Sequence, residues 1–287
     1  MPVAEKSSSD LDGVVHRIDE ISTLPAVALR LMEVAGDPAS SAADLKDVLE
    51  SDTALCARVL RCVNSAAYAV RTKITNLQQA IAYLGSKQIR NLAMTAAVSD
   101  LFKTDAAVNS YSRTGLWKHL VAVGICARLI ARRRRMANFE DMFLAGLLHD
   151  VGIILLDQHA HDQFCGVIAS LKNDKALVQT ERAHYGFDHT ELGEKVARNW
   201  GFPDAATAAI RYHHASVLYK GNEIDVVRCV EVANLLCTLK GFSSVGMKLV
   251  PLSKPAIAGL RLTKEDIAVL IEDLDGEIQS NAGLFQI

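Results

Sequence analysis

Apolar residues recur at every third or fourth position along nearly every segment of this chain, while runs that alternate apolar and polar residues are almost absent. A spacing of three to four gathers side chains on one helix face, whereas a strand needs a spacing of two. The pattern predicts an all-α protein. Half of the 287 residues are hydrophobic, enough for a large buried core in one or two domains. A formal net charge of -2 gives no support to a generalised nucleic-acid footprint or to polybasic membrane attachment. No uncharged apolar run approaches the roughly 20 residues of a membrane span. The cysteines Cys56, Cys62, Cys126, Cys165, Cys229 and Cys237 lie in apolar helical patterns, with no CxxC pair and no secretory leader ahead of them. Reduced thiols in the core of a cytoplasmic protein are the expectation.

Residues 1–14 are short and polar and read as a frayed, disordered tail. Pro25 suits a first helical turn and Gly36-Asp37-Pro38 stops that helix; further breaks fall at Ser51-Asp52 and around Gly85. About five short helices thus precede residue 105. KTDAAVNSYSRTG is polar, lacks periodicity and marks a boundary, placing one helical subdomain at 15–108 and a second helical block at 109–240. Residues 241–287 form an extension in which PLSKPAIAG reads as an extended connector, followed by one helix with Thr263 and Asp266 near capping-box spacing. RRRR at 132–135 reads as a solvated helix end.

The unusual chemistry lies in the second block. LAGLLHDVGIILL, residues 144–156, is apolar almost throughout yet holds His149 beside Asp150. A carboxylate among apolar residues requires a partner: an imidazole, the backbone, water or a cation. Eight of the nine histidines fall between His119 and His214, both included. His119 points with the apolar face of its helix. His149 and Asp150 end a helix that opens at Asn138, with Asp141 three residues on as its capping partner and Gly152 supplying the ending. Asp188 or Thr190 caps the helix that follows His189, and His213 and His214 close a helix begun by Pro203 and Asp204. A single histidine on an apolar face is more often a satisfied core residue than a ligand, and His159, His161 and His184 read as surface or loop residues. Several histidines at helix ends around one carboxylate can nonetheless build a metal site.

KH at 118–119, LLHDVG at 147–152, FDHTELG at 187–193 and YHH at 212–214 resemble the HD superfamily, helical metal-dependent phosphohydrolases named for an adjacent His-Asp pair. SDTALCARVLRCVNSAAYAV, LQQAIAYLGSKQIRNLAM, FLAGLLHDVGIILL, LGEKVARNWGFPDAATAAIRYHH and VVRCVEVANLLC are similar, in that order, to the HDOD family of bacterial signalling proteins, over roughly residues 18 to 240. The resemblance implies an N-terminal helical subdomain packed on an HD-like helical core. It also implies metal ligation by His119, His149 and Asp150, the last as a bridging carboxylate, with His189, His213 and His214 matching further ligands of the HD-GYP group. Imidazoles with a hard carboxylate suit iron, manganese or zinc.

Three features depart from the active enzymes. Asn234 stands where they carry a late ligand aspartate, which leaves one carboxylate to offset two divalent ions and favours one metal or none. Ile153 replaces a lysine that meets substrate phosphate. ASVLYKGNEI, after His214, lacks the glycine-tyrosine-proline signature of the HD-GYP group. The expectation is therefore a non-catalytic regulatory module that binds a metal or a small phosphate-bearing ligand and acts noncovalently on signalling proteins. A metal-dependent phosphohydrolase or phosphodiesterase acting on a nucleotide is the alternative. Nucleic-acid binding, suggested by the helix-turn-helix appearance of LQQAIAYLGSKQIRNLAMTAA with Lys87 and Arg90, ranks below a core-helix reading.

Overall fold

In the computed structural model of the protein, residues 11–21, 24–37, 39–65, 68, 70–171, 176–245 and 253–285 are described. Helix α1 (Leu11–Ile21) begins inside the stretch expected to fray, and Val14 is already buried; residues 1–10 of that stretch lie outside the described residues. α2 (Ala26–Gly36) follows Pro25 and closes at Asp37; Pro38, part of the anticipated stop, lies outside the described residues. α3 (Ala42–Glu50) opens with a capping box of Ser41 and Asp44, and α4 (Thr53–Val63) with the Asp52 carboxylate accepting from the amides of Ala54 and Leu55. These caps satisfy N–H groups that a helix start leaves unpaired, which is why the chain breaks there. α5 (Leu77–Leu84) meets α6 (Ser86–Val98) at Gly85, whose φ of 85° is open to glycine at no steric cost. α6 is buried from Ile89 through Thr95, and α2, α3 and α4 pack around it. The helix-turn-helix spacing therefore belongs to a core helix.

A two-residue hairpin, β1 (Ala107–Val108) antiparallel to β2 (Tyr111–Ser112), occupies the polar boundary segment. Beyond it follow α7 (Arg113–Arg133), α8 (Phe139–Leu148), α9 (Val151–His159), α10 (His161–Ser170), α11 (Leu177–Tyr185), α12 (His189–Asn199), α13 (Asp204–Tyr212), α14 (Ile224–Leu239), α15 (Lys254–Gly259) and α16 (Lys264–Ser280). The described residues are thus all-α apart from this hairpin. α7 is buried on nearly every face from Leu116 to Ala131, as a helix wrapped by others must be, and packs on α8, α14 and α16. It is long and apolar enough to cross a membrane, but most of that stretch is buried inside the protein. α7 and α8 cross at two glycines. A Cβ on Gly146 would lie 2.8 Å from the Gly124 backbone, and one on Gly124 would lie 2.9 Å from the Phe143 carbonyl.

The two halves meet where α6 packs on α8. Asn91 donates to the Glu140 carbonyl, while Lys87 and Arg90 reach the Asp141 carboxylate at 2.9 and 2.8 Å. Asp141 therefore does not cap its own helix as its spacing suggested, and Asn138 makes no side-chain cap either; the nearby cations draw Asp141 across the interface. α1 packs on α9 and α12, in the second half rather than the first. In the extension, PLSKPAIAG is not all connector, because Ser253 caps α15 and a proline occupies its first turn; residues 246–252 lie outside the described residues. The Thr263–Asp266 capping box opens α16. The arginine-rich end of α7 is not simply solvated: Arg128 and Arg132 pair with Glu277, and Arg133 with Asp266, fastening α16 to the core.

Candidate metal centre

His119 projects from the middle of α7, His149 and Asp150 occupy the break between α8 and α9, His189 is the first residue of α12, and His213 and His214 follow the last residue of α13. The break falls at Asp150 itself, with φ of -103° and ψ of 20°, so Gly152 is not its cause. Gly152 lies within α9, where a Cβ would sit 2.0 Å from the His189 carbonyl oxygen. A glycine is needed there because α9 and α12 approach backbone to backbone, and that approach brings His189 to Asp150.

Each of four imidazoles is oriented by an acceptor at Nδ1. His119 Nδ1 donates to the Phe242 carbonyl at 2.9 Å, His149 to Gly146 at 2.7 Å, and His213 to Ala209 and Ile210 at 3.0 and 3.1 Å. His189 Nδ1 donates to the Glu181 carboxylate at 2.6 Å. With the proton held at Nδ1, each Nε2 is turned toward Asp150 as a donor atom. Asp150 Oδ2 lies 3.5 Å from His119 Nε2 and 3.3 Å from His149 Nε2; Oδ1 lies 3.3 Å from His189 Nε2 and 3.1 Å from His213 Nε2. His214 Nε2 is 3.2 Å from His189 Nε2. The ligand atoms form two groups able to hold a metal ion, His119 with His149 and Asp150, and Asp150 with His189, His213 and His214, so Asp150 stands in both.

Two atoms of the second group fit a cation directly. Asp150 Oδ1 and His213 Nε2 are buried and have no hydrogen-bond partner, although they face each other at 3.1 Å. A buried lone pair without a donor is costly, and a divalent ion between such atoms removes the cost. The charges agree. Burial opposes ionisation of Asp150, yet the surrounding imidazoles hold its carboxyl well below the usual range. Burial likewise opposes a charged His189, but the Glu181 and Asp150 carboxylates lift it well above an ordinary imidazole. A metal competes for His189 with that proton, and the two carboxylates would then balance one divalent charge. Burial pushes His149 down to about 4 and His214 well below its usual value, leaving neutral rings suited to ligation.

Asn234 is buried on α14, where its Oδ1 accepts from Thr238 Oγ1 at 3.5 Å. Ile153, at the lysine position of related enzymes, is fully buried and offers no charge. Glu181 escaped the sequence reading. Its signal was an acidic residue on the buried face of α11, in register with Leu177, Thr180 and Tyr185. The backbone acceptors at Phe242, Gly146 and Ala209 have no sequence signal at all.

A cleft of about 740 Å³ opens elsewhere, where the two halves meet, and is lined by Ser41, Lys87, Arg90, Asp141, Asp204 and Asn222 among others. None of the six candidate ligand residues lines it.

The HDOD domain family model matches residues 21–216. An HDOD domain protein of unknown function from Geobacter sulfurreducens is 26% identical and superposes with a TM-score of 0.78 over 96% of this chain and 99% of its own. A protein from Marinobacter aquaeolei VT8, provisionally named for signal transduction, is 25% identical, with a TM-score of 0.74 over 96% of this chain and 63% of its own. An uncharacterized protein of Treponema pallidum (strain Nichols) is 23% identical over 206 residues, 70% of this chain but only 39% of that relative's length. With the family match spanning most of its length and the His-Asp arrangement in place, the chain belongs to the HDOD domain family.

Proposed function

We propose that the protein is a regulatory HDOD module whose His-Asp centre holds one divalent metal, iron, manganese or zinc, as a structural or sensing element, and that it acts by noncovalent contact with signalling proteins. The burial of the centre carries this reading. The side chains of His119, His149, His189 and His213 are fully buried and Asp150 is 2% exposed, with His214 alone of the six partly exposed, an enclosure that suits a held ion better than a bulky phosphodiester. Asp150, His189, His213 and His214 would be the ligands, with Glu181 orienting His189 and balancing charge. Bound there, a divalent ion supplies Lewis acidity and cross-links α9, α12 and α13. His149 and His119 complete the other side of Asp150. The cleft between the halves gives a partner a way to act on the centre, because α8, which α6 contacts across the interface, ends at His149.

A second reading, a metal-dependent phosphohydrolase acting on a nucleotide, draws on the position of Asp150 in both ligand groups, the arrangement a bridge between two ions requires. One experiment separates the two. The full-length untagged protein is assayed for metal by elemental mass spectrometry and for hydrolysis of a generic phosphodiester, beside His149→Ala/Asp150→Ala. About one metal per chain, lost in the variant, without hydrolysis is the expected outcome. Metal-dependent hydrolysis would establish the enzyme instead, and a metal content unchanged in the variant would overturn the ligand assignment.

A further inference from the structure

Away from the metal centre, α9 and α10 bring a second set of reactive groups together at residues 157, 161 and 165. Asp157 is fully buried near the end of α9, His161 is the first residue of α10, and Cys165 follows one turn later on the same face. His161 Nδ1 donates to Asp157 Oδ1 at 2.8 Å and lies 3.1 Å from the Asp157 carbonyl. Nδ1 therefore carries the proton and Nε2 presents its lone pair. That nitrogen is 3.5 Å from Cys165 Sγ, within reach of the thiol proton. Asp157 is itself fixed, accepting from Tyr111 Oη at 2.8 Å and Arg113 Nε at 2.5 Å. Burial opposes its charge, but Arg113, Tyr111 and His161 keep its carboxyl below the usual range, so it remains an anion behind the imidazole.

We propose that Cys165 is a reactive thiol, activated by His161 as general base with Asp157 as the orienting carboxylate, and that its solvent-open position suits small diffusible oxidants, the hydroperoxides, as its substrate class. A nucleophile, a base within hydrogen-bond reach and an acid that orients the base make up the required arrangement. The site is accessible: Cys165 is half-buried, His161 is half-exposed, and the space beside Gly166 is open enough that an added Cβ meets nothing within 4 Å. The other five cysteines differ. Cys126, Cys229 and Cys237 are buried, and burial raises the thiols of the half-buried Cys56 and Cys62. Among the described residues, none of these five is hydrogen-bonded to an imidazole.

In the reaction, the thiol proton passes to His161 Nε2 and the sulfur attacks the near oxygen of the hydroperoxide. An S–O bond forms as the O–O bond breaks. The imidazolium returns the proton to the departing oxygen, which leaves as water or an alcohol. Sulfur loses two electrons, the peroxide gains two, and Cys165 becomes a sulfenic acid. The product is placed to be sensed, because Asp157 ties His161 to the start of α7, and α9 runs from Asp157 back to Asp150.

The test treats the full-length protein with hydrogen peroxide, traps sulfenic acid with dimedone, and reads each cysteine by peptide mass spectrometry, with iodoacetamide alkylation in parallel. An unassisted thiol is only a few per cent thiolate at neutral pH, so base activation raises the rate by about tenfold. Cys165 is expected to react about tenfold faster than Cys56 and Cys62 in the same molecule, and His161→Gln to bring it down to their rate. Equal rates in the wild type, or a Cys165 rate unchanged in His161→Gln, would overturn the proposal. If that variant fails to fold, Cys126, Cys229 and Cys237 become labelled, and the wild-type ratio decides alone.

Discussion

At the scale of single residues, the His-Asp centre depends on side chains outside its two candidate ligand groups. Glu181 orients His189 and supplies the second negative charge. Replacing such a supporting group costs about 10- to 100-fold in metal affinity. Glu181→Gln keeps the shape and removes the charge, so metal titration followed by calorimetry should show weakening of that size with the fold intact. An affinity equal to wild type would place the metal away from His189. Gly152→Ala tests the backbone. Alanine favours a helix over glycine by about 1 kcal/mol, but its Cβ would lie 2.0 Å from the His189 carbonyl, which cannot swing aside as a side chain can. Overpacking of this kind costs about 1–3 kcal/mol or more and should win. A lowered unfolding midpoint together with lost metal is the expected result; a midpoint above wild type would deny the close approach. The imidazoles gathered around Asp150 were legible because polar residues in apolar runs are conspicuous. Gly152 was singled out for the wrong reason, since sequence shows that a glycine is present but not which distant backbone it must admit.

Among the elements, helix starts were legible at Asp52, Asp188 and Thr263, where a side chain caps its own chain, but not at Ser253, which caps α15 within a stretch that reads as a connector. They were misread where a partner from another helix competes. Asp141 has the spacing of a capping residue, but Lys87 and Arg90 on α6 claim it. The result is an ion pair between the two halves, and it makes stability depend on pH. Burial disfavours the Asp141 carboxylate, but hydrogen bonds and charge from Arg90 and Lys87 hold it below its ordinary value of 3.8. A carboxyl with a lowered folded value contributes stability above the unfolded value and loses it as the pH falls through the folded one. Asp141→Asn should therefore unfold at a lower temperature than wild type at neutral pH. The gap should narrow as the pH drops below 3.8, where wild type also loses the charge. A gap that is constant with pH would mean that the contact acts through packing alone.

For the whole molecule, the extension beyond the family match is tied to the centre. α16 is fastened to α7 by Arg128, Arg132 and Arg133 and buries Leu270 and Leu274. Past its end, Phe285 packs on Phe242, 6.3 Å between rings, and the Phe242 carbonyl is the acceptor that orients His119. This link could not be read from sequence, because it passes through a backbone oxygen in a stretch without periodicity. It makes a prediction that neither half of the protein makes alone. Leu274→Ala removes a fully buried side chain far along the sequence from Asp150, and should cost about 2–5 kcal/mol. If α16 only covers α7, the loss appears as a lower unfolding midpoint with metal affinity unchanged. If α16 holds Phe242 in place, affinity falls as well. The stabilisation that saturating metal gives wild type, which grows with the ratio of metal concentration to dissociation constant, then shrinks in the variant. Unfolding wild type and Leu274→Ala with and without a chelator measures both quantities. The Phe242 link calls for the metal-dependent rise in midpoint to be smaller in the variant, whereas an equal rise would show that α16 and the His-Asp centre are stabilised independently.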